Sequence, residues 1–156
     1  MKKNNKGFSL VELIVVVLIM AIIATALTLA VTKYVAKSKR SSDANTAGEL
    51  KTAAETAVTD YLTTVDDLAA GSIVIDGSTG SWVVTPTTLT LTANTAGDTF
   101  TSIFTSAAGS SAPKSKVHPA ESFKVTIVVD DKTNATYSVS YSGTNSTKDI
   151  FAEATK

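Results

Sequence analysis

The residue with the strongest chemical claim is Glu12, a carboxylate at the edge of an uncharged apolar run over residues 13–31. An acidic side chain held deep in lipid costs on the order of 3 kcal/mol. Glu12 therefore either sits near a membrane interface or meets a cation inside the apolar layer. No other titratable group stands in so pointed a setting. The single histidine, His118, falls in a loop with Pro113 and Pro119, where it is expected to be solvated. With zero cysteines, neither a thiolate nucleophile nor a zinc site sharing His118 is supported, and there is no disulfide framework. Asp66-Asp67 and Asp130-Asp131 could touch calcium, but adjacent pairs lack a ligand spacing. No Gly-rich phosphate loop, GxSxG or HExxH motif is present, so no cofactor, no metal and no enzymatic activity are expected. Asn134-Ala135-Thr136 and Asn145-Ser146-Thr147 match the glycosylation sequon, a short pattern that recurs by chance.

The element that must position Glu12 is the apolar run itself. At ~1.5 Å per residue, a helix over residues 13–31 is about 28 Å long, close to the ~30 Å hydrocarbon core of a bilayer. It can span a membrane. Lys2, Lys3 and Lys6 precede it and Lys33, Lys37, Lys39 and Arg40 follow it, so basic residues flank both ends and do not orient the span. The second cluster reads as an interface anchor. The formal net charge is zero, which provides no overall basic field, and no nucleic acid partner is expected. The chain has 156 residues, enough for one domain with a modest core.

The stretch Lys6-Gly7-Phe8-Ser9-Leu10-Val11-Glu12-Leu13 resembles the leader junction of type IV prepilins and of the related secretion pseudopilins. In that family a membrane peptidase cuts after the glycine and methylates the new amino terminus. The resemblance implies a leader over residues 1–7, cleavage between Gly7 and Phe8, and N-methylation of Phe8. It places Glu12 fifth in the mature chain, where the family has its glutamate. The Phe8 amine of one subunit is then the cation that Glu12 of a neighbour can meet in an apolar interior, and the pairing lowers the cost for both. Only one axial stagger brings those charges together.

The function so implied is structural: a subunit of an extracellular type IV pilus filament, polymerised through residues 8–32. Its partners are further copies of itself, the prepilin peptidase and the assembly machinery. It resides in the inner or cytoplasmic membrane before assembly and at the cell surface afterwards. One alternative is a pseudopilin of a type II secretion or competence system. Another is a secreted or anchored binding module with an ordinary signal peptide cut at Ala24-Thr25-Ala26. Against the latter, Glu12 lies early in what would be its apolar centre, and the uncharged run continues to Val31. Two departures from the family stand out. Leu29 and Ala21 occupy places where many pilins carry a proline and a glycine, and without cysteine the last segment cannot be closed by a disulfide.

The remainder, residues 33–156, reads as a head. Apolar residues at helical spacing from Ala47 to Leu68 predict an amphipathic helix over 44–70. No proline lies between Phe8 and Ala70, so this helix is expected to continue the apolar one, with 41–46 and Gly48 as the points most prone to bend. Residues 72–156 are β-rich, with strands expected over 72–76, 81–85 and 87–92 and a short helical face at Phe100, Ile103, Phe104 and Ala107. A loop over 108–122 follows. Residues 123–130 and 135–141 predict a hairpin, with Phe123, Val125, Ile127 and Val129 on one face opposite Tyr137, Val139 and Tyr141. The expected class is α+β: a long N-terminal helix laid on an antiparallel sheet.

Overall fold

The computed structural model describes residues 7–64, 70–87, 91, 99–131 and 134–154. It divides into residues 1–37 and residues 38–156. One helix, α1 (Leu10–Thr64), contributes to both. In the first unit α1 carries a nearly unbroken apolar surface, with Leu10, Val11, Met20 and Ile22 each at least 65% exposed. Thr25, Thr28 and Thr32 do not interrupt it. Each hydroxyl donates to a carbonyl three or four residues back at 2.8–3.1 Å, so their polar groups are satisfied inside the helix.

In the second unit α1 turns Ala47, Leu50, Ala54, Ala57, Val58 and Tyr61 into a core. Alanines at this spacing let the sheet approach the helix closely, and Leu50 and Tyr61 fill the gaps that remain. The opposing layer is a four-stranded antiparallel sheet of order β2-β1-β3-β4, made of β1 (Gly71–Asp76), β2 (Val83–Pro86), β3 (Phe123–Asp131) and β4 (Asn134–Tyr141). Phe123, Val125, Ile127 and Val129 are at most 1% exposed, as the alternation along β3 predicts. Across the ladder they pair with Tyr141, Val139, Tyr137 and Ala135. A register shift falls between Val129 and Asp131, at the end of β3.

α2 (Phe100–Ala108) begins with a capping box between Thr99 and Ser102 and buries Phe100 and Phe104. Phe104 meets Trp82 edge to face at 5.3 Å, and Phe100 meets Tyr61 at 5.7 Å. The Trp82 indole donates to the Gly109 carbonyl at 3.0 Å, so the buried ring keeps its N–H satisfied. Gly77 sits where the turn after β1 meets this cluster. A Cβ there would lie 2.6 Å from that of Ala112 and 2.9 Å from the Trp82 ring, so glycine is required for close approach.

Several boundaries differ from the sequence expectation. Residues 41–46 and Gly48 are helical without interruption, for reasons that lie in Asp43. The strand expected over 81–85 starts at Val83, because Trp82 is drawn onto Phe104 while Ser81 makes a separate bridge to Ser111. Pro86 ends β2 opposite Ile73, at the sheet edge where a missing N–H is tolerated, and Thr87 then donates to the Ser72 carbonyl at 2.8 Å. Most of the strand expected over 87–92 lies outside the described residues, as do residues 65–69 with Asp66 and Asp67. α3 (Ile150–Ala154), with Ile150 buried, was not expected from the sequence.

Candidate functional site

The amino-terminal site is built on the first turn of α1. Ser9 precedes the helix and Glu12 is its third residue, the S-x-x-E spacing of a capping box. The Ser9 N–H donates to Glu12 Oε2 at 3.0 Å, and Leu13 donates to the Ser9 carbonyl at 3.3 Å. Glu12 thus satisfies one of the donors a helix start leaves open, and its charge favours the positive end of the helix dipole. Among the described residues no hydrogen bond within the chain engages Oε1, so the carboxylate retains an acceptor for an outside donor. This capping role is legible in the spacing of Ser9 and Glu12 and stands beside the interface and counter-charge roles that the sequence offers for Glu12.

Gly7 stands free of the fold. A Cβ on it would meet nothing within 4 Å, so the chain's own structure makes no demand for glycine there. α1 includes a stretch long and apolar enough to cross a membrane, with none of that stretch buried.

The second constellation lies in residues 38–156 and centres on Asp43. Asp43 is 1% exposed, and its carboxylate gathers donors from the loop that follows α2. Ser115 Oγ donates to Oδ2 at 2.6 Å, the Lys116 N–H to Oδ1 at 2.8 Å, the Val117 N–H to Oδ2 at 3.2 Å and the Tyr141 hydroxyl to Oδ2 at 3.4 Å. A buried carboxylate with this many donors ties α1, the loop and β4 together. Asp43 therefore does not compete with the helix backbone, which explains why α1 does not break at residues 41–46. Burial, followed by the negative charge of Asp43, pushes the Tyr141 hydroxyl well above its ordinary pKa.

His118 is not the solvated loop residue expected. Its ring packs edge to face on Tyr141 at 4.8 Å, its backbone N–H donates to Ser115 Oγ at 2.8 Å, and its buried Nε2 has no partner among the described residues. Glu121 closes the C-terminal segment, which no disulfide can do here. Its Oε1 accepts from Thr144 Oγ1 at 2.9 Å and from Asn145 Nδ2 at 3.0 Å. A Cβ on Gly143 would lie 2.6 Å from the carboxyl carbon, so a side chain there would displace Glu121 from these bonds. Desolvation acts to raise the Glu121 pKa, but the hydrogen bonds from Thr144 and Asn145 outweigh it and hold the carboxyl below its ordinary value. The Asn145 amide of one sequon is thereby engaged. Among the described residues, no group of three or more His, Asp or Glu side chains comes together as a metal site.

Residues 2–28 match the family model described as the prokaryotic N-terminal methylation motif. That motif is the class III leader signature of type IV pilins and pseudopilins, and it supports a type IV pilin-like or pseudopilin protein. The matched segment contains Gly7, Phe8, Glu12 and most of the apolar run. Comparison with curated proteins and with solved structures found no match. The α+β architecture, a long N-terminal apolar helix with an antiparallel sheet, is pilin-like.

Proposed function

We propose that this chain is the structural subunit of an extracellular type IV pilus filament, cut between Gly7 and Phe8, methylated on the Phe8 amine and polymerised through its apolar helix. The observation that carries this reading is a methylation motif continuous with an apolar helix surface that finds no cover within the chain. A surface of this kind needs lipid first and other subunits afterwards. Gly7 supports the reading from another side. The fold does not need it, so its place at the junction fits a requirement of the peptidase, which a residue without Cβ suits.

In this scheme Glu12 accepts the Phe8 amine of a neighbouring subunit while it still caps its own helix. The precursor resides in the cytoplasmic membrane and the assembled filament at the cell surface. Favouring a long pilus over a secretion pseudopilus is the polar outer face of the sheet, where Lys124, Thr126, Ser138 and Ser140 suit a filament surface facing water.

The test is the mature amino terminus. Mass spectrometry of protein from producing cells should find a chain starting at Phe8 with a methylated amine, in filaments that antibodies to this chain label along their length. A chain starting at Leu27 would instead identify an ordinary signal peptide. Replacing Gly7 by leucine should leave uncut precursor in the membrane.

A further inference from the structure

Asp43 is the only acidic residue between Glu12 and Glu49, and its carboxylate is engaged by the loop after α2. The same contact brings a cation to the helix. The Lys116 N–H donates to Asp43 Oδ1 at 2.8 Å, while the exposed Lys116 ammonium donates to Ser42 Oγ at 2.7 Å. Lys39 and Arg40 precede Asp43 by four and three residues, so they share its face of α1, one turn ahead of it. Lys39 is exposed and Arg40 half-buried. Three cationic side chains thus gather where the loop meets the helix, one of them 73 residues from Asp43.

Little within the chain answers this charge. Among the described residues, no carboxylate pairs with Lys39, Arg40 or Lys116. Asp43 is 1% exposed and offsets one of the three charges, which leaves the cluster positive. Glu121, the acid of the same loop, turns its Oε1 to Thr144 and Asn145 instead.

The place of the cluster along the chain says what faces it. The uncharged run ends at Val31, and α1 includes a stretch long and apolar enough to cross a membrane. At ~1.5 Å per residue, Lys39 starts about 12 Å beyond Val31, and a headgroup layer extends roughly 5–8 Å outside the hydrocarbon core. Side chains on a helix tilt toward its N-terminus, here the membrane side, and Lys and Arg carry their charge at the tip of a long stem. Lys39 and Arg40 therefore reach the depth of phospholipid phosphates.

We propose that Lys39, Arg40 and Lys116 form a binding site for the phosphate of an anionic phospholipid, occupied while the chain resides in a membrane. The guanidinium supplies paired donors to phosphate oxygens and the two ammonium groups supply point charges. Lysines that merely flank a span act through the helix that carries them. Here Asp43 adds Lys116 from the head, so a bound lipid engages head and helix together. The inference rests on the reading of residues 13–31 as a membrane span, while the cluster itself lies within residues 38–156.

The experiment uses the full chain in phosphatidylcholine vesicles with a trace of spin-labelled phosphatidylglycerol or spin-labelled phosphatidylcholine, and reads the fraction of label immobilised by the protein. The parent should prefer phosphatidylglycerol by about tenfold or more, and Lys116→Gln or Arg40→Gln should each lower that preference by about fivefold. Lys116→Arg should keep it, and Lys51→Gln, which alters a lysine already paired with Glu55, should leave it unchanged. A preference that survives Lys116→Gln would overturn the proposal, since the helix alone would then hold the lipid. Equal immobilisation of the two lipids would also overturn it, as would release of phosphatidylglycerol by inorganic phosphate, which would make the ligand a soluble anion. Preference that vanishes as the protein is diluted would assign the cluster to a second copy. Failure to float with the neutral vesicles would sink the membrane span as well, whereas insertion without lipid preference would sink this proposal alone.

Discussion

Residues 7–37 and residues 38–156 handle apolar side chains in opposite ways. In the head, Phe100, Phe104, Phe123, Ile75 and Ile127 are at most 2% exposed, and each rests against other buried groups of the same unit. In the apolar stretch, Leu13, Ile19, Ile22 and Leu27 are more than half exposed although each is as apolar as any core residue. Their spacing also differs. The head helix buries one face, whereas residues 13–31 are apolar all round, the pattern of a helix whose surroundings are themselves apolar. Polar groups follow the same division. Asp43 finds its donors within the head, while Glu12 uses one oxygen on its own helix and keeps the other for a donor from outside. A chain can thus carry one region whose partners are intramolecular and one whose partners are other molecules.

The largest effect expected from breaking this contrast is at Glu12. On the proposed pairing, Glu12→Ala would remove the counter-charge for a neighbour's Phe8 amine, and breaking a buried pair costs roughly 3–5 kcal/mol. The variant should be cut normally, accumulate in the membrane and yield few or no filaments, with Glu12→Asp between it and the parent. Leader removal and sheared filament yield, measured side by side, check this. Parental filament yield from Glu12→Ala would reduce the residue to a helix cap.

Removing the outward-facing region altogether sharpens the contrast. A chain beginning at Lys33 should be a soluble, folded monomer by gel filtration and circular dichroism, since the core lies in residues 38–156. Filaments from this truncated form would show that the head drives polymerisation.

Within the head, Asp43→Ala should be the costly polar substitution. It orphans the Ser115 and Tyr141 hydroxyls and the N–H groups of Lys116 and Val117, and one unsatisfied buried group costs about 1–3 kcal/mol. A loss of about 3 kcal/mol in chemical denaturation of the truncated head is expected. Leader cleavage should be unaffected, because it depends on the other region.

The smallest effect concerns Glu121. Its pKa is lowered on folding, so its contribution is present above the ordinary glutamate value of ~4.3 and is lost as pH falls through the lower folded value. Protection against hydrogen exchange at Thr144 and Asn145, taken relative to the intrinsic rate at each pH, should fall under acid, and Glu121→Gln should flatten that dependence. An unchanged acid response in the variant would assign it to other carboxylates.

The sequence by itself determined the features that depend on neighbours along the chain. The methylation motif over residues 2–28, the S-x-x-E spacing at Glu12, the uncharged run and the alternation from Phe123 to Val129 are local patterns, and periodicity or motif exposes them directly. Only the tertiary structure decided what Asp43 and Glu121 do. Asp43 sits in a segment, SSDANT, whose composition suggests a weak point. Its donors at Ser115 and Tyr141 lie 72 and 98 residues away, and no local rule joins them. His118 looked solvated for the same reason, since Tyr141 reaches it only through the sheet. The start of β2 was misplaced because the burial of Trp82 against Phe104 overrides the local strand pattern. Short-range chemistry is written in adjacent residues, whereas a buried polar contact exists only once the chain has brought distant segments out of water together.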